Sequence, residues 1–171
     1  MVYKIVKLGH PVLEQVAEPV QQFDTPELRE LVDGMFETMY ANKGVGLAAP
    51  QVNVSQRVTV IDTSNGEDPN AKVVLINPEI TRLEGTQLGE EGCLSIPGFR
   101  EDVKRAMKAT IRARNVKGEE FELTGEELLA RAMQHEIDHL NGILFLQHLS
   151  ALKRDLIRRK IRKLQKAGEW D

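Results

Sequence analysis

The chain has 171 residues, a formal net charge of −3, 41% hydrophobic and 29% charged residues. That balance describes one globular domain over 1–171 with a sizeable core, and excludes a disordered or collagenous chain. The single cysteine, Cys93, excludes an internal disulfide. No stretch is long enough to span a membrane, and Met1 to Lys7 lacks a signal peptide's apolar run, so a cytoplasmic protein is expected.

In chain order, His10-Pro11 opens a short helix with Val12, Leu13 and Val16 inward, ending near Pro19. Asp24-Thr25-Pro26-Glu27 is a strong helix start. Leu28, Leu31, Val32, Met35, Phe36, Met39 and Tyr40 follow at helical spacing and predict a core-facing helix that stops at Asn42-Lys43-Gly44. Gly44 to Gln51 is slender enough for another backbone to approach closely, and it lacks the spacing of a dinucleotide or P-loop fingerprint. Arg57–Asp62, Lys72–Asn77 and Ile80–Leu83 read as strands. Glu90 to Gly98 interrupts with glycine, cysteine and proline. Val103–Arg114 and Glu119–Leu123 read as a hairpin around Asn115-Val116-Lys117-Gly118. Thr124-Gly125-Glu126-Glu127 is a capping box for a helix with Leu129, Met133, Ile137 and Leu140 inward. A last helix is expected within 148–167, with Leu152, Leu156, Ile161 and Leu164 inward. That segment holds eight Lys or Arg against one acid, Asp155. A basic tail on an acidic body fits either an anionic partner or a solvated helix face.

The chemistry concentrates at His135-Glu136-Ile137-Asp138-His139. On a helix His135 and His139 share a face and can converge on one metal ion, with Glu136 beside it as an acid/base group. Two histidines at this spacing also occur on plain exposed faces, so the third ligand decides. Three protein ligands and an open position are needed. The metzincin pattern would place a third histidine where Phe145 stands, and the only glutamate after Gly142 is Glu169, near the chain end. Cys93 remains, and a thiolate with two imidazoles suits Zn(II) or Fe(II).

Gly44-Val45-Gly46-Leu47-Ala48-Ala49-Pro50-Gln51, Glu91-Gly92-Cys93-Leu94-Ser95 and Gln134 to Gly142 together resemble the three motifs of the peptide deformylase family, in the family's order. The form most resembled is the bacterial one with a long C-terminal helix. The resemblance implies an α+β fold: mixed or antiparallel β-sheets packed around a central helix carrying His-Glu-x-x-His, with a C-terminal helix. It implies removal of the formyl group from N-formylmethionyl peptides by a metal-dependent hydrolase, the ion being Fe(II) with Zn(II) or Ni(II) as substitutes. Cys93, His135 and His139 would be ligands, and Glu136 the general base and acid. Gln51 and the Leu94 N–H would stabilise the oxyanion. Gly44, Val45, Gly46, Gly92 and Arg100 would contact the peptide. Val45, Leu128, Arg131 and Ala132 would line the methionine pocket, with His135 at its floor and the charge of Arg131 turned outward. Glu91 and Arg105 would pair in support, with Asp138 alongside. The basic helix would dock at the ribosome near the exit. Neither membrane nor DNA is an expected partner.

Overall fold

The computed structural model describes residues 1–170. Its elements are α1 (Pro26–Ala41), β1 (Gly46–Ala48), β2 (Val58–Ile61), β3 (Val73–Glu84), β4 (Gln87–Cys93), β5 (Ile96–Arg105), β6 (Lys108–Arg114), β7 (Glu120–Glu126), α2 (Glu127–Leu140) and α3 (Ala151–Lys166). Short 3-10 turns lie at Pro11–Glu14, Ala49–Val52 and Phe145–His148. The fold is α+β. One antiparallel sheet runs β1-β2-β3-β6-β7, and β4-β5 form a separate two-stranded ribbon. Helix α2 packs against β7, β1, β2 and β6, while α1 covers β1 and β2. Among the described residues no helix is long and apolar enough to cross a membrane.

Helix α1 forms as its sequence dictates. Thr25 Oγ1 accepts the Leu28 N–H at 3.1 Å, Pro26 opens the first turn, and Leu28, Leu31, Val32, Met35, Phe36 and Met39 are buried. It ends through Asn42 and Lys43, the latter at φ +58°, and the Gly44 N–H returns to Met39 O.

Five expectations need correction. The first helix shrinks to the turn Pro11–Glu14; Val12 and Leu13 are buried but Val16 is exposed. Lys72–Asn77 and Ile80–Leu83 belong to one strand, β3, whose register shifts between Ile76 and Glu79. Pro78, which cannot donate to a ladder, lies in that shift. Glu90 to Gly98 is not an interruption but the turn end of the β4-β5 ribbon. A two-stranded ribbon leaves one edge of each strand free, so glycine and Pro97 break no neighbouring ladder. Conversely, Val103–Arg114 is split at Ala106-Met107. There the Gln134 side chain donates to Ala106 O and accepts from Ala106 N, both at 3.1 Å, and replaces the ladder.

The fifth correction concerns the two later helices. The capping box at Thr124 does not form. Thr124 Oγ1 pairs with Thr110 Oγ1 within the sheet at 2.9 Å, and α2 starts at Glu127 without a side-chain cap. Helix α3 spans Ala151–Lys166, capped by Ser150 Oγ, and buries Ile157 and Ile161 with Leu164 half-buried. Leu152 and Leu156 are exposed. Positions 156 and 161 lie about 140° apart on a helix, whereas 157, 161 and 164 form one stripe. That stripe joins Leu13, Ile96, Phe145 and Trp170 in one apolar cluster.

Candidate metal centre and cleft

Three stretches distant in sequence meet around α2. Its stripe Met133, Ile137 and Leu140 enters the core, which turns His135 and His139 toward the ribbon. Cys93 ends β4, and its Sγ lies 3.3 Å from His139 Nε2. The two Nε2 atoms are 3.2 Å apart. The three donor atoms all lie within 4.8 Å of one another. Ligand bonds of about 2.0–2.3 Å in a tetrahedral arrangement put donors about 3.3–3.6 Å apart, so the cluster has the dimensions of a metal centre. His135 Nδ1 meets Glu91 Oε1 at 2.8 Å, which turns the Nε2 lone pair to the cluster. The residues therefore fit a divalent ion.

Electrostatics agree. Burial holds His139 far below the ordinary imidazole pKa, so it stays neutral, as a ligand must. Burial opposes charging of His135, but its contacts with Cys93 and Glu91 outweigh that and raise its pKa well above the ordinary imidazole value, so an ion binding there would displace a proton. Burial also opposes ionisation of Glu91, yet hydrogen bonds from Arg105 and His135 keep it ionised, well below the usual carboxylate range.

Glu136 is 4% exposed, its Oε1 is 3.9 Å from His135 Nε2, and its Oε2 has no hydrogen-bond partner. Burial pushes its pKa up to about 7. A carboxyl group poised near neutrality beside a metal centre can both take and return a proton. Gly46 makes the space: a Cβ there would meet Glu136 Oε1 at 2.8 Å.

Gln51 lies in the 3-10 turn after β1. Its Oε1 accepts the Ala48 N–H at 2.9 Å, so Nε2 points to Ser95 Oγ at 3.2 Å and Cys93 Sγ at 3.5 Å. Leu94 occupies the turn joining β4 to β5. A cleft of about 720 Å³ opens over the centre, and Gly44, Val45, Gly46, Gly92, Leu94, Arg100, Leu128, Arg131 and Ala132 all line it. Arg100 pairs with Glu90 at 2.5 Å on the rim, over Gly92, where a Cβ would lie 2.7 Å from Arg100 Nη1. His139 is buried beneath and does not line the cleft.

Arg131 requires correction. Its guanidinium does not turn outward. It is 6% exposed and donates from Nη1 to Glu91 Oε2 at 2.6 Å and to Val103 O at 2.8 Å. Arg105 binds both Glu91 oxygens, at 2.8 and 2.9 Å, and Asp138 at 2.7 Å. Ser95, Gln134 and His148 join the site without a role expected from the sequence. Ser95 is fully buried against Gln51, Gln134 pins Ala106, and His148 Nε2 meets Asp138 Oδ2 at 2.8 Å. Ser95 and Gln134 stand inside the sequence motifs, but their polar groups act on segments that only the fold brings near. His148 carries no local signal.

The whole chain has close relatives with this arrangement of elements. The sequence model of the polypeptide deformylase family matches residues 2–155. A peptide deformylase of Acidobacterium capsulatum is 62% identical over 170 residues, covering 99% of each chain. One from Thermodesulfovibrio yellowstonii is 47% identical, covering 94% of this chain and 97% of the other. The crystal structure of the Legionella pneumophila enzyme superposes with a TM-score of 0.91 at 46% identity, over 100% of this chain and 99% of that one. The Plasmodium falciparum structure gives 0.89 at 34% identity, over 96% of each. A match of this length and depth leaves one assignment: the chain belongs to the polypeptide deformylase family, metal-dependent enzymes that remove the formyl group from the N-formylmethionine of nascent polypeptides.

Proposed function

We propose that this chain acts as one catalytic domain whose cleft hydrolyses the formyl amide of N-formylmethionyl peptides, with Cys93, His135 and His139 holding a single Fe(II) ion. The observation that carries the reading is the convergence of these three donors beside the buried Glu136, whose Oε2 has no hydrogen-bond partner. The ion would supply Lewis acidity that activates water for attack. Glu136 accepts that water's proton through Oε2 and returns it to the departing amine. Gln51 Nε2 and the Leu94 N–H donate to the oxygen that gains charge as the formyl carbon becomes tetrahedral. Gly44, Val45 and Gly46 take the peptide as an added strand, main chain to main chain, which tolerates many sequences after the first residue. The methionine side chain enters between Val45, Leu128 and Ala132, with Arg131 behind it. Gly92 and Arg100 border the following residues.

The setting is cytoplasmic, and the outward basic face of α3 docks the enzyme at the ribosome near the exit, where cations meet RNA phosphate. A thiolate–Fe(II) site reached through the cleft would be oxygen-sensitive, and Ni(II) or Zn(II) could replace the ion at the same donors. The test is metal analysis of protein purified without oxygen, together with cleavage of formyl-Met-Ala against a peptide offering only internal amides. About one iron per chain and selective release of formate are expected. Faster cleavage of the internal amide would make the chain a metallopeptidase and overturn the reading.

A further inference from the structure

Arg131 and His135 stand one turn apart on α2 and present the same face. The Glu91 carboxylate spans them: Oε2 receives Arg131 Nη1 at 2.6 Å, and Oε1 meets His135 Nδ1 at 2.8 Å. Arg105 already neutralises Glu91 from β5 of the same ribbon, and it reaches α2 through Asp138, three residues after His135. Arg131 comes from the helix that carries the histidine. It therefore fixes Glu91 directly to the helix on the turn before His135, whereas Arg105 reaches that helix only through Asp138 on the other side of the histidine.

The neighbours of Arg131 are arranged to keep it in this place. Val103 O takes its second Nη1 hydrogen at 2.8 Å, and Gln87 Oε1 lies 3.5 Å from Nη2. Strand β4 offers Gly89 on the remaining side, where a Cβ would lie 3.0 Å from Nη2 and 3.3 Å from Cζ. A Cβ there would press on the guanidinium and call for a shift of a few tenths of an ångström, and a larger side chain would call for more. A planar, bidentate-capable cation is held by fixed acceptors and given a slot.

We propose that Arg131 is a positioning residue for the metal centre: through Glu91 it holds the His135 ring so that Nε2 faces Cys93 and His139. The proposal rests on reading those three residues as ligands. Partners of a ligating histidine hold its tautomer and ring angle, and losing one typically lowers metal affinity about 10–100-fold.

The test measures Co(II) affinity by chelator competition and records the Co(II) absorption bands, on the full chain. Arg131→Met is expected to bind about 10–100-fold more weakly with shifted bands. Arg131→Lys, which keeps a charge beside Glu91, recovers part of the loss. Gly89→Ala alters no ligand, presses on the guanidinium alone among the site groups within 4 Å, and is expected to weaken binding a few-fold. It decides the matter if Arg131→Met fails to fold. Unchanged affinity and bands in Arg131→Met and Gly89→Ala, even with lowered thermal stability, would make Arg131 a plain structural tie and overturn the proposal. Absence of Co(II) binding by the unmodified chain would instead overturn the ligand assignment itself.

Discussion

Gln51 is held so that its two amide atoms do different work. Oε1 is committed to the Ala48 N–H, which leaves Nε2 directed at the cluster beside Cys93. Replacing it with leucine removes both atoms and leaves a buried N–H unpaired, at about 1–3 kcal/mol. Gln51→Glu is the cleaner change, because it keeps the acceptor for Ala48 and loses the donor. Both variants are expected to lower kcat by about two orders of magnitude, the usual loss for one oxyanion donor. Metal content, measured alongside, is expected to stay at one ion per chain. Turnover of Gln51→Glu at the parent rate would remove Nε2 from the oxyanion site.

At the scale of elements, α3 separates two roles by face. Ile157 and Ile161 point into the cluster with Phe145, and just past the helix Trp170 is buried, its Nε1 donating to Leu8 O at 2.8 Å. Each such side chain contributes about 1.5–3 kcal/mol when buried. Removing everything after Ser150 is therefore expected to lower stability by several kcal/mol, measurable by denaturant unfolding, and is a poor probe of docking. Arg159, Arg162 and Lys163 are exposed. Reversing these three charges to glutamate is expected to abolish co-sedimentation with ribosomes at low salt while leaving hydrolysis of formyl-Met-Ala intact. Co-sedimentation that persists would leave the basic face as ordinary solvated surface.

On the scale of the whole molecule, the cluster adds a tie between the ribbon and α2 to those made by Glu91 with His135 and Arg131 and by Arg105 with Asp138. Cys93 comes from the ribbon and the histidines from the helix under the main sheet. An ion bound there ties ribbon to helix only in the folded state. At a hundredfold excess over its dissociation constant it stabilises by about 2.7 kcal/mol. For a chain of this length that is roughly 5–11 °C in Tm. Chelation is expected to lower Tm by this amount, and added Ni(II) or Zn(II) to restore it. A Tm indifferent to chelator would mean that no ion bridges the two parts.

Patterns local in sequence carried much of the fold. Helix α1 was readable because its cap, its proline and its apolar spacing all lie within one segment. The face shared by His135 and His139 follows from helical geometry alone, as does the position of Glu136 beside it. The three motifs carried the family, since their residue types and order need no coordinates. What sequence could not carry were features set by distant partners. The Gln134 amide breaks β5 from β6, the two-stranded ribbon absorbs Gly92 and Pro97, and the apolar cluster around Phe145 selects Ile157 over Leu156. Arg131 shows the same limit most plainly. An arginine one turn before His135 reads as a pocket residue with its charge in water. Only the fold brings the buried Glu91, the Val103 carbonyl and the slot at Gly89 to it, and these fixed acceptors satisfy the guanidinium that solvent would otherwise hold.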